Sequence, residues 1–350
     1  MHDIRSTLGT RLPVIQAPMA GSQDSALALA VCEAGGLGSL PAAMLSLDTL
    51  AQELAVLKAQ ARGPYNVNFF CHTTPAPDAA REQRWRAVLA PHYQRLGLPA
   101  DVAAGGSSRE PFGPAALAVL AACRPPVVSF HFGLPAPALL AEIKSWGTKV
   151  LSSATTLDEA RWLAAQGVDA VIAQGLEAGG HRGHFLSDDL GRQLGTFALL
   201  PQCVRALRVP VIAAGGLADA AGVAAAQALG AAGVQVGTAY LLCDEARTSV
   251  VHRQALQAQQ GPQARHTVLT NVFTGRPARG IVNTLIESIG PVSAEAPAFP
   301  LAAGAVAPLR AAAEGQGRGA YSPLWSGQNA SGCRPMPAGE ITRALAAGWR

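Results

Sequence analysis

The sequence predicts an α/β protein folded as a (β/α)8 barrel, the TIM barrel, and two observations carry the prediction. Eight short apolar segments recur between residues 14 and 238, and most of them are followed by a segment with helical spacing. Strands that are apolar throughout are buried on both faces, which is typical of a parallel sheet covered by helices. A doubly wound sheet is less favoured, because no G-x-G-x-x-G follows the first segment.

The predicted strands follow one another at intervals that mostly leave room for a helix. In chain order they cover residues 14–19, 36–41, 65–70, 127–132, 149–154, 170–175, 211–216 and 233–238. Helix N-caps are expected at Asp24, Asp48 and Asp219, and helix ends at Gly35, Gly147 and Gly167.

Two segments exceed what a minimal barrel needs. Residues 72–124 separate the third and fourth predicted strands and contain a polar helical stretch, which predicts an insertion over the active face. We therefore expect the barrel within residues 1–245. Residues 246–350 are expected to supply the last barrel helix, an irregular excursion and a C-terminal helical cap or lid over the active face.

The composition argues against several classes of protein. Hydrophobic residues make up 49% of the 350 and charged residues 14%, which is enough apolar material for a sizeable core. No segment has the roughly 20 consecutive apolar residues of a membrane span. No apolar signal segment opens the chain, so we expect a soluble, cytoplasmic protein without a membrane partner. The net charge of +4 comes with no basic run, which argues against nucleic acid as a partner.

The cysteines and histidines do not form a recognisable metal motif. The six cysteines lie far apart with no Cys-x-x-Cys pair, which argues against structural zinc and a disulfide framework. The "HRGH" of residues 181–184 is a poor ligand set by itself, so no metal is expected. A monomer and a homodimer both remain open.

Glycines end the last two predicted strands. Gly215 and Gly216 close the seventh, and Gly237 with Thr238 closes the eighth. Glycine lets backbone amides approach an anion, and the loops after strands seven and eight are the usual phosphate site of this barrel. Plain tight turns are the alternative reading of these glycines.

The residues at the strand ends narrow the ligand that would carry the phosphate. The chain has three lysines, Lys58, Lys144 and Lys149, and none ends a strand, which argues against Schiff-base and pyridoxal-phosphate chemistry. Amide side chains remain, at Gln16, Asn68, Gln174 and Gln235. Amides can hydrogen-bond a flat heterocycle with mixed donors and acceptors, so the set suits flavin mononucleotide (FMN).

An ordered set of motifs, "PVIQAPMAG", "NVNFF", "QGLEAGGHRG", "AAGGLAD" and "QVGTAYLLCDEA", closely resembles the nitronate monooxygenases, most of all the bacterial class I group. The resemblance spans about residues 11–330. It implies an FMN-dependent TIM barrel that oxidises alkyl nitronates, notably propionate 3-nitronate, with O2 to a carbonyl compound and nitrite. The expected partners are therefore a small-molecule nitronate and O2.

The resemblance also implies roles for individual residues. His181 would do acid/base work, and His131 would face the substrate pocket. Tyr321 could reach the site, but no lysine follows Lys149, so how a substrate carboxylate is anchored stays open. The expected cofactor-binding residues are Ala17, Pro18, Met19, Asn68, Gln174, Gly179, Gly180, Gly215, Gly216, Gln235, Val236, Gly237 and Thr238.

Alternatives remain at both histidines and for the function. His181 would stabilise charge or act as a general base, or else only cap carbonyls in its loop. His131 could equally be a satisfied imidazole buried between aromatic rings. An NAD(P)H-using enoyl-ACP or quinone reductase would use the same FMN barrel, and a non-catalytic protein binding a phosphate ligand is a more distant alternative.

Overall fold

The computed structural model describes residues 2–99 and 109–350, and it confirms the predicted barrel. The strands are β1 (Val14–Gln16), β2 (Gly38–Pro41), β3 (Tyr65–Phe70), β4 (Val127–His131), β5 (Lys149–Ala154), β6 (Ala170–Gln174), β7 (Gly180–His181), β8 (Val211–Ala214), β9 (Gly233–Val236), β10 (Thr267–Thr270) and β11 (Ala278–Ile281).

Eight of these strands pair in parallel in the order β1-β9-β8-β6-β5-β4-β3-β2. A parallel bridge between Ile15 and Leu37 brings β1 next to the start of β2, so the barrel is nearly closed. Several strands end one to three residues before the predicted positions. The other three strands form an antiparallel sheet in the order β10-β11-β7.

The helices are α1 (Ile4–Leu8), α2 (Ser25–Ala34), α3 (Leu47–Gln60), α4 (Ala79–Arg95), α5 (Pro114–Cys123), α6 (Pro137–Ser145), α7 (Leu157–Ala165), α8 (Thr196–Ala206), α9 (Ala220–Ala228), α10 (Val250–Ala258), α11 (Thr284–Ile289), α12 (Ala302–Glu314) and α13 (Ala338–Ala346). Asp24 and Asp219 cap α2 and α9 as expected. The expectation for Asp48 was wrong: Ser46 caps α3, and Asp48 lies in its first turn, where a carboxylate favours the helix dipole.

The barrel interior is a packed apolar core. Ile15, Leu151, Ile172 and Ile212 point inward from their strands and are at most 3% exposed. Ile4 on α1 belongs to the same cluster, and its backbone N–H donates to the Ala232 carbonyl, so the first helix covers the N-terminal end of the barrel. The opposite, C-terminal end is therefore the end left for a ligand.

The segment predicted as an insertion contains two helices with different roles, and its residues 100–108 lie outside the described residues. Helix α5 packs against α3 and α6, so it is the barrel helix between β3 and β4. Helix α4 packs instead against α12, and its Trp85, Leu89 and Tyr93 belong to a second apolar core with residues of the C-terminal part. We call the body built by α4, β10, β11, α11 and α12 the cap.

The helix that completes the barrel is not where the sequence placed it. The last barrel helix was expected soon after residue 245, but α13, at the end of the chain, packs against α2 and α9 and fills that position. The chain thus leaves the barrel after β9, builds most of the cap and then returns. Helical spacing shows which face of a helix is apolar but not which neighbour covers that face. Within the described residues, no helix is both long enough and apolar enough to cross a bilayer.

Candidate active site

A cavity lies at the C-terminal ends of the barrel strands, beneath the cap, and it collects nearly all the residues singled out in the sequence. Both predicted histidines and all thirteen predicted cofactor residues line it: Ala17, Pro18, Met19, Asn68, His131, Gln174, Gly179, Gly180, His181, Gly215, Gly216, Gln235, Val236, Gly237 and Thr238. They come from six different barrel strands or the loops that follow them. This is the face on which barrels of this class carry their chemistry.

Tyr321 does not line this cavity, which corrects the expectation that it would reach the substrate. Its side chain is 2% exposed and belongs to the apolar core of the cap. Its hydroxyl lies 3.2 Å from Nδ1 of His92 on α4. A buried tyrosine hydroxyl usually has a hydrogen-bond partner, and here that partner is His92. Tyr321 therefore links the segment after α12 to helix α4.

One edge of the cavity is formed by backbone. Gly215 and Gly216 have φ angles of 112° and 75°, which glycine adopts readily and other residues rarely do. Within the described residues, the N–H groups of Gly216 and Gly237 donate no hydrogen bond. A short 3₁₀ turn, Thr238–Tyr240, begins directly after Gly237. Free backbone N–H groups in glycine-rich turns are the groups that bind phosphate.

The cap closes over that edge through its own loop at residues 327–329. The Gly327 N–H donates to the Thr238 hydroxyl at 2.9 Å, and the Asn329 amide donates to the Gly216 carbonyl at 3.0 Å. Gly179 approaches this loop so closely that a Cβ on it would lie 2.5 Å from the Gly327 nitrogen. The close approach explains why glycine is needed at position 179.

The three cavity-lining amides expected to contact the cofactor are in different states. Gln174 is already engaged, since its Nε2 donates to the His181 carbonyl and its Oε1 accepts from the Gly183 N–H. The Asn68 amide donates to the hydroxyl and carbonyl of Ser129. Gln235 differs, because its Oε1 is buried and has no hydrogen-bond partner among the described residues. Gln235 therefore offers a ligand a buried amide acceptor.

His181 is held by the cap as well as by the barrel. It lies on β7, where it pairs with Ala278 of the cap strand β11. Its Nε2 lies 2.9 Å from the hydroxyl of Thr274, and that hydroxyl lies 3.4 Å from the Arg276 carbonyl. A carbonyl can only accept, so the Thr274 hydroxyl donates its proton to the Arg276 carbonyl. The hydroxyl oxygen then accepts from His181, which places the imidazole proton on Nε2 and leaves the lone pair on Nδ1.

Aromatic rings surround His181. The centroids of Phe299, Trp325 and Phe70 lie 5.2, 5.6 and 6.1 Å from its own. Burial lowers the pKa of His181 well below 6.5, and the nearby Arg109 guanidinium adds to the effect. The imidazole is therefore neutral near pH 7, which makes it competent to accept a proton.

His131 supports the loop that carries His181. Its Nε2 lies 3.1 Å from the His181 carbonyl and must donate to it, and its Nδ1 accepts from the Ser153 hydroxyl. Burial lowers the pKa of His131 to about 3, so it too is neutral. Both ring nitrogens are occupied, which favours a positioning role over direct proton transfer.

Several cavity residues were not found from the sequence. Arg109 and Trp325 line the cavity, and Thr274 bonds His181 from outside the lining. Each lies on an irregular segment with no periodic pattern around it, so only the packed structure brings it to the site. Arg182, by contrast, is fully buried and donates to the carbonyls of Gln174 and Gly175, which fixes the same loop from behind.

Comparison with known proteins decides the family. The model of the nitronate monooxygenase family matches residues 3–348, nearly the whole chain. The chain belongs to the nitronate monooxygenase family. The resemblance seen in the sequence motifs is thereby confirmed, and the protein is a flavin-dependent oxidoreductase.

Relatives in the nitronate monooxygenase family are similar over almost their full length. A protein of Paraburkholderia phytofirmans named nitronate monooxygenase is 44% identical over 341 residues, covering 97% of this chain and 92% of its own. Another so named, from Pseudomonas aeruginosa, is 39% identical, covering 97% of this chain and 96% of its own.

Two solved structures are also similar to this nitronate monooxygenase family member. A nitroalkane oxidase from Streptomyces ansochromogenes superposes with a TM-score of 0.88 at 40% identity, covering 99% of this chain and 97% of its own. FabK from Thermotoga maritima superposes with a TM-score of 0.74 at 27% identity, covering 99% and 95%.

The cavity fits the flavin that the family uses. The backbone edge at Gly216 and Gly237 offers free N–H groups for an anionic tail, and the Gln235 oxygen offers an acceptor for a ring N–H. Within residues 2–99 and 109–350, no cluster of three or more His, Cys, Asp or Glu side chains could hold a metal ion.

Proposed function

We propose that this chain binds FMN and oxidises alkyl nitronates, propionate 3-nitronate among them, with O2 to a carbonyl compound and nitrite. The observation that carries the proposal is the shared cavity: a phosphate-binding type of backbone edge and a neutral, cap-held imidazole line the same space. Family membership supports the reaction class, and the lining of the cavity supports the residue roles proposed below.

The cofactor would be held mainly by backbone. The N–H groups of Gly216 and Gly237 would hold the phosphate monoester in which FMN ends, and Gln235 would accept from the ring. The bound flavin supplies the electron-transfer chemistry that brings O2 into the reaction. Gln174, His131 and Arg182 would keep the loop over the ring in place through the hydrogen bonds they already make.

His181 would face the substrate. A nitronate is already an anion, so it raises the proton affinity of a neutral imidazole beside it. Nδ1 of His181 would then take up a proton and stabilise the bound charge, while Thr274 keeps Nε2 as a donor. With a neutral nitroalkane, the same lone pair would instead act as the general base.

Anaerobic mixing of the flavin-loaded protein with propyl-1-nitronate, and separately with NADPH, tests the function. We expect the nitronate to reduce the flavin and NADPH to leave it oxidised over the same period, with nitrite and a carbonyl compound formed once O2 is admitted. Rapid bleaching by NADPH alone would favour an NAD(P)H-dependent reductase. A protein that acquires no flavin absorbance when mixed with FMN would favour non-catalytic binding of another phosphate ligand.

A further inference from the structure

Arg109 places a guanidinium at the wall of the cavity, and residues 2–99 and 109–350 offer it no matching anion. Its side chain lines the cavity, and its Nη1 is shielded from solvent with no hydrogen-bond partner among the described residues. No carboxylate of the described residues forms an ion pair with it, and its Nη2 contacts only the sulfur of Met44, at 4.0 Å. Burial lowers the pKa of Arg109, yet a guanidinium stays charged at neutral pH.

The other arginines close to the site are engaged with the protein. Arg182 donates to two carbonyls and to Gln193. Arg276 stacks 4.2 Å above the ring of Phe132 and donates to the His184 carbonyl, and although its Nε lacks a partner it does not line the cavity. A buried charge with no partner is costly unless an anion reaches it, and Arg109 is the cavity arginine in that state.

Arg109 and His181 both lie close to the ring of Phe299. The guanidinium carbon of Arg109 is 5.5 Å from the centroid of Phe299, and the His181 ring is 5.2 Å from the same centroid. Both side chains line the cavity, so a ligand with its reacting carbon beside His181 could place a second group a few bonds away at the guanidinium. The charge on Arg109 already acts on His181, since it helps to lower the pKa of that imidazole.

We propose that Arg109 is a specificity-determining residue that binds a carboxylate on the substrate, so that the site prefers nitronates bearing a second negative group. The inference rests on the proposed function for the identity of the reacting group. A guanidinium matches a planar carboxylate with two parallel hydrogen bonds, which distinguishes such substrates from simple alkyl nitronates.

Substrate pairs separate this role from a general effect on the site. We compare kcat/KM for propionate 3-nitronate and for propyl-1-nitronate, which has the same number of chain carbons but no carboxylate. In Arg109→Met we expect kcat/KM for the first to fall roughly 10- to 100-fold, the range for a hydrogen-bonded charge, mostly through KM. The kcat/KM for propyl-1-nitronate should change by a clearly smaller factor, so that the ratio of the two kcat/KM values falls. Arg109→Lys should recover part of the loss.

An exposed arginine on helix α4 of the cap provides the matched control. Arg84 pairs with Glu295 at the surface, away from the cavity, so Arg84→Met should leave both substrates unchanged. Equal losses on both substrates in Arg109→Met, or no loss on either, would overturn the inference.

Binding without turnover keeps the inference separate from the proposed function. A nitronate group and a carboxylate are both planar anions with two oxygens, so succinate has the shape of propionate 3-nitronate and butyrate lacks its second charge. Calorimetry on the flavin-loaded protein should show succinate binding at least about 10-fold more tightly than butyrate, a preference that Arg109→Met removes. If nitronates are not oxidised but this preference is present, the proposed function fails and the anion site stands. If succinate binds no more tightly than butyrate, the proposed anion site is wrong and the proposed function is unaffected.

Discussion

The two walls of the cavity are built on different principles. The barrel wall presents backbone N–H groups, glycines and the buried, unpaired amide oxygen of Gln235, at the ends of β8 and β9. The cap wall, the side of the cavity beneath the cap, presents side chains: the ring of Trp325, whose centroid is 5.6 Å from that of His181, and the guanidinium of Arg109 from the segment before α5. Backbone groups suit a ligand that is the same in every turnover, while side chains can be exchanged to suit a substrate.

The comparison assigns a separate task to each wall. Changes on the barrel side should alter retention of the cofactor, and changes on the cap side should alter which substrates react and how fast. His181 joins the two, because it lies on a barrel loop but pairs with the cap strand β11 and bonds Thr274.

Removing the imidazole at the junction should have the largest effect. In His181→Asn we expect kcat/KM for nitronates to fall about 10²- to 10⁴-fold, the usual worth of a positioned acid or base. Flavin content should stay near one per chain, since we propose that backbone N–H groups hold the cofactor. Steady-state oxygen uptake measures kcat/KM, and the visible spectrum measures the flavin content. His266→Asn, at an exposed cap histidine, is the control. A His181→Asn enzyme of normal activity would contradict the role.

Low pH should lower the free energy of unfolding. Burial lowers the pKa of His131 to about 3 and of His72, His184 and His252 to about 4. Below pH 6.5 the unfolded chain takes up protons that the folded chain cannot bind, so stability falls as the pH falls. Each group contributes up to about 1.4 kcal/mol per pH unit between 6.5 and its folded pKa. Urea unfolding at pH 7.5, 6.0 and 5.0 measures this, and equal unfolding free energies at all three would contradict it.

A substitution at Gly179, where the barrel loop meets the loop at residues 327–329, should have a smaller effect. In Gly179→Ala the new Cβ would meet the backbone of Ser326 and Gly327 within 2.6 Å, so loop and cap must separate. We expect a loss of about 1–3 kcal/mol in the free energy of unfolding, together with weaker FMN retention. In the control Gly261→Ala the nearest atom is 3.8 Å away, and the change should stay within about 0.5 kcal/mol. Equal effects would show that the close approach does not matter.

The smallest effect is expected at Thr274. Thr274→Val keeps the shape but removes the hydroxyl that accepts from Nε2 of His181. We expect kcat/KM to fall about 10-fold, as for the loss of one buried hydrogen bond, while Thr274→Ser stays near the wild type. If valine and serine behave alike, the hydroxyl does not set the proton position on His181.

The barrel wall could be predicted from the sequence and the cap wall could not. Gly216 and Gly237 directly follow short apolar runs, so their place at strand ends can be predicted from the local sequence. Arg109 and Thr274 reach the site through contacts between segments distant in the chain, which no local pattern encodes. Tyr321 shows that a motif resemblance has the same limit, because the resemblance suggested that Tyr321 reaches the site, while packing places its hydroxyl against His92. The last barrel helix, α13, was missed for this reason too.

A crystal structure of the FMN-loaded chain tests most directly whether one cavity joins the two walls. We predict the phosphate within about 3 Å of the N–H groups of Gly216 and Gly237, and a ring N–H bonded to the Gln235 oxygen. The exposed face of the ring should point to His181 beneath the cap. A phosphate bound elsewhere, or a ring whose open face turns away from His181, would contradict the assignment of cofactor to the barrel and substrate to the cap.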